Sequence, residues 1–162
     1  MVSAYNTEVE MTQIVLPSHT NNHGTAFGGQ IAAWVDICAS VSAQRLCRKP
    51  VVTASMDALH FIHPVQQNMV VILKSRVNCV WNSSMEIGVK VIAEDPLTGA
   101  QMHCCTAYLT FVALDAQGKP LSVPELDLHD DPILLRHAED ANIRRQLRLQ
   151  VRNLRLKRAG TV

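Results

Sequence analysis

Residues 17–36 combine a polar, glycine-containing loop with a helical segment that is apolar apart from one acid. Gly28 and Gly29 allow the backbone to turn and to approach a ligand closely, because glycine has no Cβ. From Gly28 onward, apolar residues occur almost all round the helix, which predicts a buried helix. Asp36 is the only charged side chain in residues 28–44, and a lone buried carboxylate is costly unless it is paired. Asp36 is therefore the first candidate functional residue.

The chain after this helix alternates between strand-like runs and short turns. Strands are predicted at residues 8–15, 51–61, 70–81, 85–94 and 102–114. Residues 85–94 alternate apolar and polar side chains with a period of two, which is the clearest strand signal in the chain. Consecutive strands joined by short turns form an antiparallel meander, and one early helix followed by such a sheet indicates an α+β fold.

A second, basic helix is predicted after a linker at residues 119–131 that is rich in proline and acid. Asp131 before Pro132 is a good N-cap and first helical position, and the helix continues to about Arg158. The helix carries an apolar stripe beside a basic one: Ile143, Leu147, Val151 and Leu154, then Arg144, Arg148, Arg152 and Arg155. Because an apolar stripe needs a surface to cover it, we expect the helix to pack on the body of the protein or on another subunit.

Charge is unevenly distributed, although the net charge is only +1. Residues 1–135 hold seven basic and twelve acidic side chains, a net of −5, whereas residues 136–162 hold eight basic and two acidic, a net of +6. A basic helix can bind nucleic acid or a membrane surface. However, the body is acidic and the helix lacks aromatic side chains for stacking, so we expect neither nucleic acid nor a membrane as a partner.

Length and composition place the chain among single-domain globular proteins, with 162 residues, 48% of them hydrophobic and 18% charged. No apolar run reaches the ~18 residues needed to span a bilayer. The N-terminus lacks the features of a secretory signal, so a cytoplasmic location is expected. Five cysteines without C-x-x-C spacing are expected to be reduced core residues. Two histidine pairs, at 19 and 23 and at 60 and 63, lack further ligands, so no metal site is predicted.

Five sequence segments occur in order between residues 12 and 126. They are N-x-x-G-x-x-F-G-G with a following acid (Asn21, Gly24, Phe27, Gly28, Gly29 and Asp36), V-V-T-A-S-M-D at 51–57, F-I-H-P-V at 61–65, S-S-M-E-I-G-V at 83–89 and A-Y-L-T-F-V-A-L-D at 107–115. Together they resemble the hotdog-fold acyl-CoA thioesterases. The resemblance implies a curled antiparallel sheet around a central helix at 1–126 and a basic helical extension at 127–162.

The resemblance also implies hydrolysis of a fatty acyl-coenzyme A, with Asp36 as the catalytic carboxylate. Asp36 would act as a general base on water or as a nucleophile that forms a mixed anhydride, and the sequence does not choose between them. Alternatively, Asp36 is a structural acid at a dimer contact. Asn21 would hold the attacking water or the thioester carbonyl, although asparagine is also a common turn residue.

Further site residues follow from the same resemblance. The N–H groups at Gly28 and Gly29 would stabilise the oxyanion, or these glycines serve close helix–sheet packing. His23 would line the mouth of the site, where Gly24 and Phe27 also contact substrate. Ser83 and Ser84 would bind near the nucleotide end of coenzyme A, or they only form a turn. Beyond coenzyme A as part of the substrate, no metal or redox cofactor is implied.

The relation between Gly28 and Asp36 predicts a site shared between subunits. An α-helix rises about 1.5 Å per residue, so the two residues lie roughly 12 Å apart along one helix. An antiparallel helix from a second subunit would bring its Asp36 back toward Gly28 and Asn21, giving two equal sites in a two-fold dimer. The resemblance implies such dimers, often assembled into hexamers.

Three alternative functions stay open at this point. A hydroxyacyl dehydratase on the same fold would need a histidine base, and the central helix contains none. A non-catalytic acyl-CoA-binding regulator is compatible with the fold, but Asn21 and Asp36 together favour an enzyme. A nucleic-acid or membrane binder would act through the basic helix, which could instead contribute to binding of coenzyme A phosphates.

Overall fold

The computed structural model describes residues 1–158 and residue 160. Its strands are β1 (Val2–Ser3), β2 (Val9–Ile14), β3 (Val51–Met56), β4 (Val70–Val80), β5 (Ser84–Glu94), β6 (Gln101–Ala113) and β7 (Leu126–Asp127). Its α-helices are α1 (Gly28–Cys47) and α2 (Pro132–Arg158), and 3-10 turns lie at Ala4–Thr7 and Pro17–His19. Within the described residues, neither α-helix is long and apolar enough to cross a bilayer. The expected cytoplasmic location stays a prediction.

Five strands form the main sheet in the order β2-β4-β5-β6-β3, and each neighbouring pair is antiparallel. The sheet curls around α1, which confirms the predicted α+β hotdog arrangement of a curled sheet around a central helix. On β5, the inward side chains Met85, Ile87, Val89, Val91 and Ala93 are fully buried. The period of two in the sequence therefore correctly identified the core face of this strand.

One face of α1 packs into the curl of the sheet, and the opposite face does not. Val35, Cys38 and Ala39 are fully buried, whereas Ile37 is 53% exposed. The prediction of a helix buried on all sides is therefore wrong for a single chain, because the sheet covers only one side of it. Asp36 lies between the two faces and is partly exposed.

Strand β3 ends earlier than predicted. It stops at Met56 rather than near residue 61, after a β-bulge between Thr53 and Ser55. The Asp57 N–H still donates to the Tyr108 carbonyl at 3.0 Å, and the chain then leaves the sheet. β3 is an edge strand, and much of it is exposed in the single chain.

The linker contains a short strand that was not predicted. This strand, β7, pairs in parallel with β1. Helix α2 then begins as predicted, since Asp131 Oδ1 accepts hydrogen bonds from the N–H groups of Ile133 (2.7 Å) and Leu134 (3.4 Å). The division into a body at 1–126 and an extension at 127–162 stays a prediction.

The two stripes of α2 are oriented differently from the expectation. Arg144 and Arg148 turn toward the outer face of the sheet, where both pair with the fully buried Glu86 of β5. The apolar stripe is largely exposed, with Ile143 at 57%. The body of the same chain therefore leaves the stripe largely uncovered, because the buried Glu86 carboxylate pairs with the basic face of the helix. Packing of the stripe on another subunit stays a prediction.

Candidate functional site

The loop before α1 is a tight hairpin that brings the predicted loop residues together. Thr20 and Ala26 form a β-bridge across it, and the Asn21 N–H donates to the Thr25 carbonyl at 2.9 Å. Gly24 has φ +71°, a left-handed conformation that favours glycine. Its N–H donates to the Asn21 carbonyl at 3.0 Å. The glycine in N-x-x-G is therefore required by the turn itself.

The Asn21 side chain organises this hairpin. Its Oδ1 accepts hydrogen bonds from the N–H groups of His23 (2.9 Å) and Thr25 (3.3 Å), and its Nδ2 donates to Thr25 Oγ1 at 2.9 Å. The turn-forming role that the sequence left as an alternative is therefore present. A primary amide has two N–H groups, so one of them is still available to a substrate.

The start of α1 presents unpaired backbone donors. The N–H groups of Gln30 and Ile31 both donate to the Phe27 carbonyl, at 3.0 and 3.2 Å. In the described part of the chain, no hydrogen-bond acceptor meets the N–H of Gly28 or Gly29. The first N–H groups of a helix lack intrahelical partners and lie at its positive end. This end of α1 can therefore stabilise a negatively charged oxygen.

Gly28 and Gly29 differ in their surroundings. A Cβ added at Gly28 would lie 3.1 Å from Cε2 of Phe61, whereas one at Gly29 would meet no atom within 4 Å. The tight neighbour of Gly28 is a loop side chain and not the sheet, so the alternative of close helix–sheet packing stays a prediction. Close packing does not account for Gly29, whose open side leaves its backbone accessible.

Asp36 lies two turns further along α1 and has one partner that the sequence did not reveal. Thr53 Oγ1 of β3 donates to Asp36 Oδ1 at 2.7 Å, and no cation forms an ion pair with Asp36 within the described residues. The hydrogen bond fixes one carboxylate oxygen and leaves Oδ2 free to accept a proton. A threonine in a strand is common, and only its inclusion in the V-V-T-A-S-M-D segment singled it out.

The remaining predicted residues divide between two regions. His23 and Phe27 lie exposed on the hairpin and at the start of α1, and the Phe27 side chain is 53% exposed. Ser83 and Ser84 lie at the turn between β4 and β5, and Ser84 opens onto the outer face of the sheet beneath α2. The structure therefore joins the loop residues to α1 but leaves Ser84 on the other side of the sheet and Ser83 in the turn before it. No group of three or more His, Cys, Asp or Glu side chains in the described chain could hold a metal.

Comparison with known protein families gives one model match. Residues 23–100 match the model of the thioesterase superfamily. Among curated proteins, the uncharacterized acyl-CoA thioester hydrolase YkhA of Bacillus subtilis is 49% identical over 119 residues, which cover 74% of this chain and 69% of that protein. Mouse acyl-coenzyme A thioesterase 11 is 47% identical over 107 residues, but the match spans only 18% of its length.

Solved structures of similar fold cover nearly the whole chain. An acyl-CoA hydrolase from Bacillus cereus has a TM-score of 0.90 at 36% identity, covering 98% of this chain and 96% of that one. The acyl-CoA hydrolase of Staphylococcus aureus, solved with butyryl coenzyme A, coenzyme A and coenzyme A disulfide, has a TM-score of 0.87 at 30% identity, with 98% and 95% coverage. A hexameric acyl-CoA thioesterase has a TM-score of 0.87 at 32% identity, with 93% and 97% coverage.

Proposed function

The chain belongs to the acyl-CoA thioester hydrolases of the thioesterase superfamily, and on this premise we propose that it hydrolyses fatty acyl-coenzyme A to a free fatty acid and coenzyme A. The observation that carries the proposal is the pairing of two features on α1. Free N–H groups at Gly28 and Gly29 stand at its start, and a carboxylate oriented by Thr53 stands at Asp36. These are the oxyanion donors and the base that thioester hydrolysis needs.

In the proposed reaction, a water oxygen forms a bond to the thioester carbonyl carbon while Asp36 takes a proton from that water. The carbonyl oxygen becomes an oxyanion, which the N–H groups of Gly28 and Gly29 stabilise. When the tetrahedral intermediate collapses, the carbon–sulfur bond breaks and the departing sulfur takes the proton from Asp36. The alternative route has the Asp36 carboxylate attack first and form a mixed anhydride, which water then hydrolyses.

Each site is proposed to take its Asp36 and its Gly28 from different subunits. Eight residues of α1 place them roughly 12 Å apart in one chain, too far for both to touch one carbonyl group. The uncovered face of α1, with Ile37 53% exposed, and the open edge of β3 offer the surface for a two-fold partner. Assembly of such dimers into a hexamer is part of the proposal, and the hexameric relative of known structure supports it.

The structures of the Staphylococcus aureus hydrolase support the choice of residues. They include alanine variants of an asparagine, an aspartate and a threonine. Along that chain the three are separated by 15 and then 17 residues, as Asn21, Asp36 and Thr53 are here. We propose that Asn21 orients the substrate carbonyl or the water through its remaining N–H and that Thr53 orients Asp36.

Apolar surface near the start of α1 supports a fatty acyl group as the part of the substrate that binds there. Phe27, Phe61 and Ile62 are 53%, 45% and 60% exposed, and exposed clusters of large apolar side chains mark ligand or partner contacts. His23 and Gly24 would border the entrance to the site. Ser84 opens onto the outer face of the sheet, away from α1, so a contact of Ser83 and Ser84 with the nucleotide end of coenzyme A stays a prediction from the resemblance alone.

The test is a panel of acyl-CoA thioesters with detection of the released thiol. Wild-type protein should release coenzyme A, and Asp36→Asn should reduce kcat by about a hundredfold or more, as loss of a general base does. The control is Glu10→Gln, which removes an exposed carboxylate, paired with Lys74, from the opposite edge strand of the sheet and should leave kcat unchanged. Release of no thiol from any acyl-CoA by wild-type protein would overturn the proposal.

The shared site has its own test. Asn21→Ala and Asp36→Ala should each be nearly inactive alone. When the two are refolded together, half of the dimers are mixed and each holds one intact site, so about a quarter of wild-type activity should return. If mixed dimers form without recovery, each site lies within one subunit, and only the shared-site part of the proposal fails.

A further inference from the structure

A groove of about 1110 Å³ runs between the second half of α2 and the outer face of the sheet. Strands β3, β5 and β6 form its floor, and α2 forms its wall. Pockets that bind small molecules usually have volumes of about 300–1,000 Å³, so this groove is large enough for a ligand. It lies on the opposite side of the sheet from α1 and the site described above.

A row of arginines on α2 faces this groove, and only the arginines nearest the start of the helix are paired with acidic side chains. At that end Arg148 Nη1 donates to Asp57 Oδ2 at 2.7 Å and Nη2 to Glu86 Oε2 at 2.9 Å. One and two turns further, Arg152 and Arg155 also line the groove. Within the described residues neither forms a salt bridge, and no acidic side chain lines the groove apart from Asp57. This end of the groove is therefore positively charged without compensation.

Most of the remaining lining is apolar. Met56 and Val112 lie on the sheet side, and Leu147 and Val151 lie on the helix side. Thr110, also in the floor, has a hydroxyl oxygen that is buried and has no hydrogen-bond partner. An unpartnered buried hydroxyl is costly and is usually satisfied by water or a ligand. Because this oxygen is itself buried, the exposed lining of the groove consists of unpaired cations and largely apolar side chains.

We propose that this groove binds a fatty acid, with its carboxylate at Arg152 and Arg155 and its chain along the apolar lining. Arginine pairs with carboxylates through two parallel hydrogen bonds, and the lining suits an unbranched chain. A nucleotide is disfavoured, because the aromatic face of Trp81, which borders the groove, is already covered by Arg145 at 4.7 Å. The ligand would bind apart from α1, so the groove is a second site and not the place where a thioester is cleaved.

Direct binding tests this proposal without any activity measurement, so its outcome is independent of the proposed hydrolysis. A saturated medium-chain fatty acid is titrated into the full chain by calorimetry, below the concentration at which the fatty acid aggregates. The alcohol of the same chain length and coenzyme A alone are titrated in parallel. The variant is Arg152→Gln with Arg155→Gln, and the matched control is Lys157→Gln with Arg158→Gln, which removes equal charge from the same helix outside the groove.

Saturable fatty-acid binding should weaken at least about tenfold in the Arg152/Arg155 variant, as loss of a charge-assisted hydrogen bond predicts. The control variant should bind as the wild type does, and the alcohol should bind more weakly than the acid. Equal loss in both variants would reveal nonspecific attraction to the basic helix and overturn the proposal. Unchanged fatty-acid binding in the Arg152/Arg155 variant, or coenzyme A binding that alone depends on these arginines, would also overturn it. If the wild type does not bind the fatty acid and the Arg152/Arg155 variant assembles more weakly than the wild type, a second copy of the chain fills the groove and the proposal is overturned.

Discussion

The buried ion cluster beneath α2 offers the sharpest test of how this helix is held. Glu86 is 0% exposed, and its carboxylate accepts hydrogen bonds from Arg144 Nη2 (2.6 Å), Arg148 Nη2 (2.9 Å) and Asn78 Nδ2 (3.3 Å). Arg144 Nε also lies 3.2 and 3.3 Å from the two carboxylate oxygens. The Arg144 guanidinium covers the Tyr108 ring at 3.6 Å. Arg144 is therefore the main partner of this carboxylate.

Arg144→Met keeps most of the volume of the side chain but leaves Glu86 buried with fewer partners. Removing one member of a buried ion pair costs about 3–5 kcal/mol. Because Arg148 remains, we expect the low end, about 3 kcal/mol. In a chain of this size each kcal/mol lowers Tm by about 2–4 °C, so the expected decrease in Tm is about 6–12 °C.

Calorimetry and urea unfolding at one fixed protein concentration measure this change, because assembly makes Tm depend on concentration. Arg152→Met is the matched control: it lies on the same helix without a salt bridge, and it should change stability by less than about 0.5 kcal/mol. A second variant, Glu86→Leu combined with Arg144→Met, should recover most of the loss, because apolar replacement of a buried pair is often neutral. If Arg144→Met and Arg152→Met unfold at the same temperature, the buried cluster does not hold α2.

Three further predictions follow from single contacts. Thr53→Val should lower kcat for acyl-CoA hydrolysis by about tenfold to a hundredfold with little change in KM, since a misoriented carboxylate costs that much. Thr53→Ser keeps the hydroxyl and should have nearly the wild-type kcat. If Thr53→Val has the same kcat as the wild type, Thr53 does not orient Asp36. Desolvation, then Arg76 and Arg136, lower the pKa of His137 below its usual 6.5, so the folded chain should lose stability as pH falls below about 6.5, and urea titrations of His137→Gln should show a smaller loss. Asp131→Ala removes the cap of α2 and should cost about 1 kcal/mol in urea unfolding, whereas Glu139→Ala, at an exposed acid further along the same helix, should cost much less.

The sequence predicted the ends of those helices and strands that are fixed by residues close by in the chain. The start of α1 at Gly28, the alternation in β5 and the cap of α2 at Asp131 all depend on side chains within a few positions. The end of β3 does not. It depends on β6. The Asp57 N–H donates to the Tyr108 carbonyl, the following residues leave the edge so that Phe61 reaches Gly28, and the Ile62 N–H then pairs with the Cys104 carbonyl of β6.

The candidate site divides in the same way. Asn21, Gly24, Gly28 and Gly29 belong to one continuous loop and helix start, so sequence alone could name them and the turn that they form. Thr53 could not be assigned as the partner of Asp36, because 17 residues separate the two and only the sheet brings β3 beside α1.

The orientation of α2 was likewise decided only by the tertiary structure. The sequence determined that the helix has an apolar and a basic stripe, and hydrophobic burial predicted that the apolar stripe would be covered, by the body or by another subunit. The structure buries Glu86 on the outer face of the sheet. Leaving this buried charge unpaired would cost more free energy than leaving the apolar stripe exposed. A carboxylate without water must be paired, whereas apolar side chains remain exposed at a moderate cost each. The helix therefore turns its arginines toward the sheet.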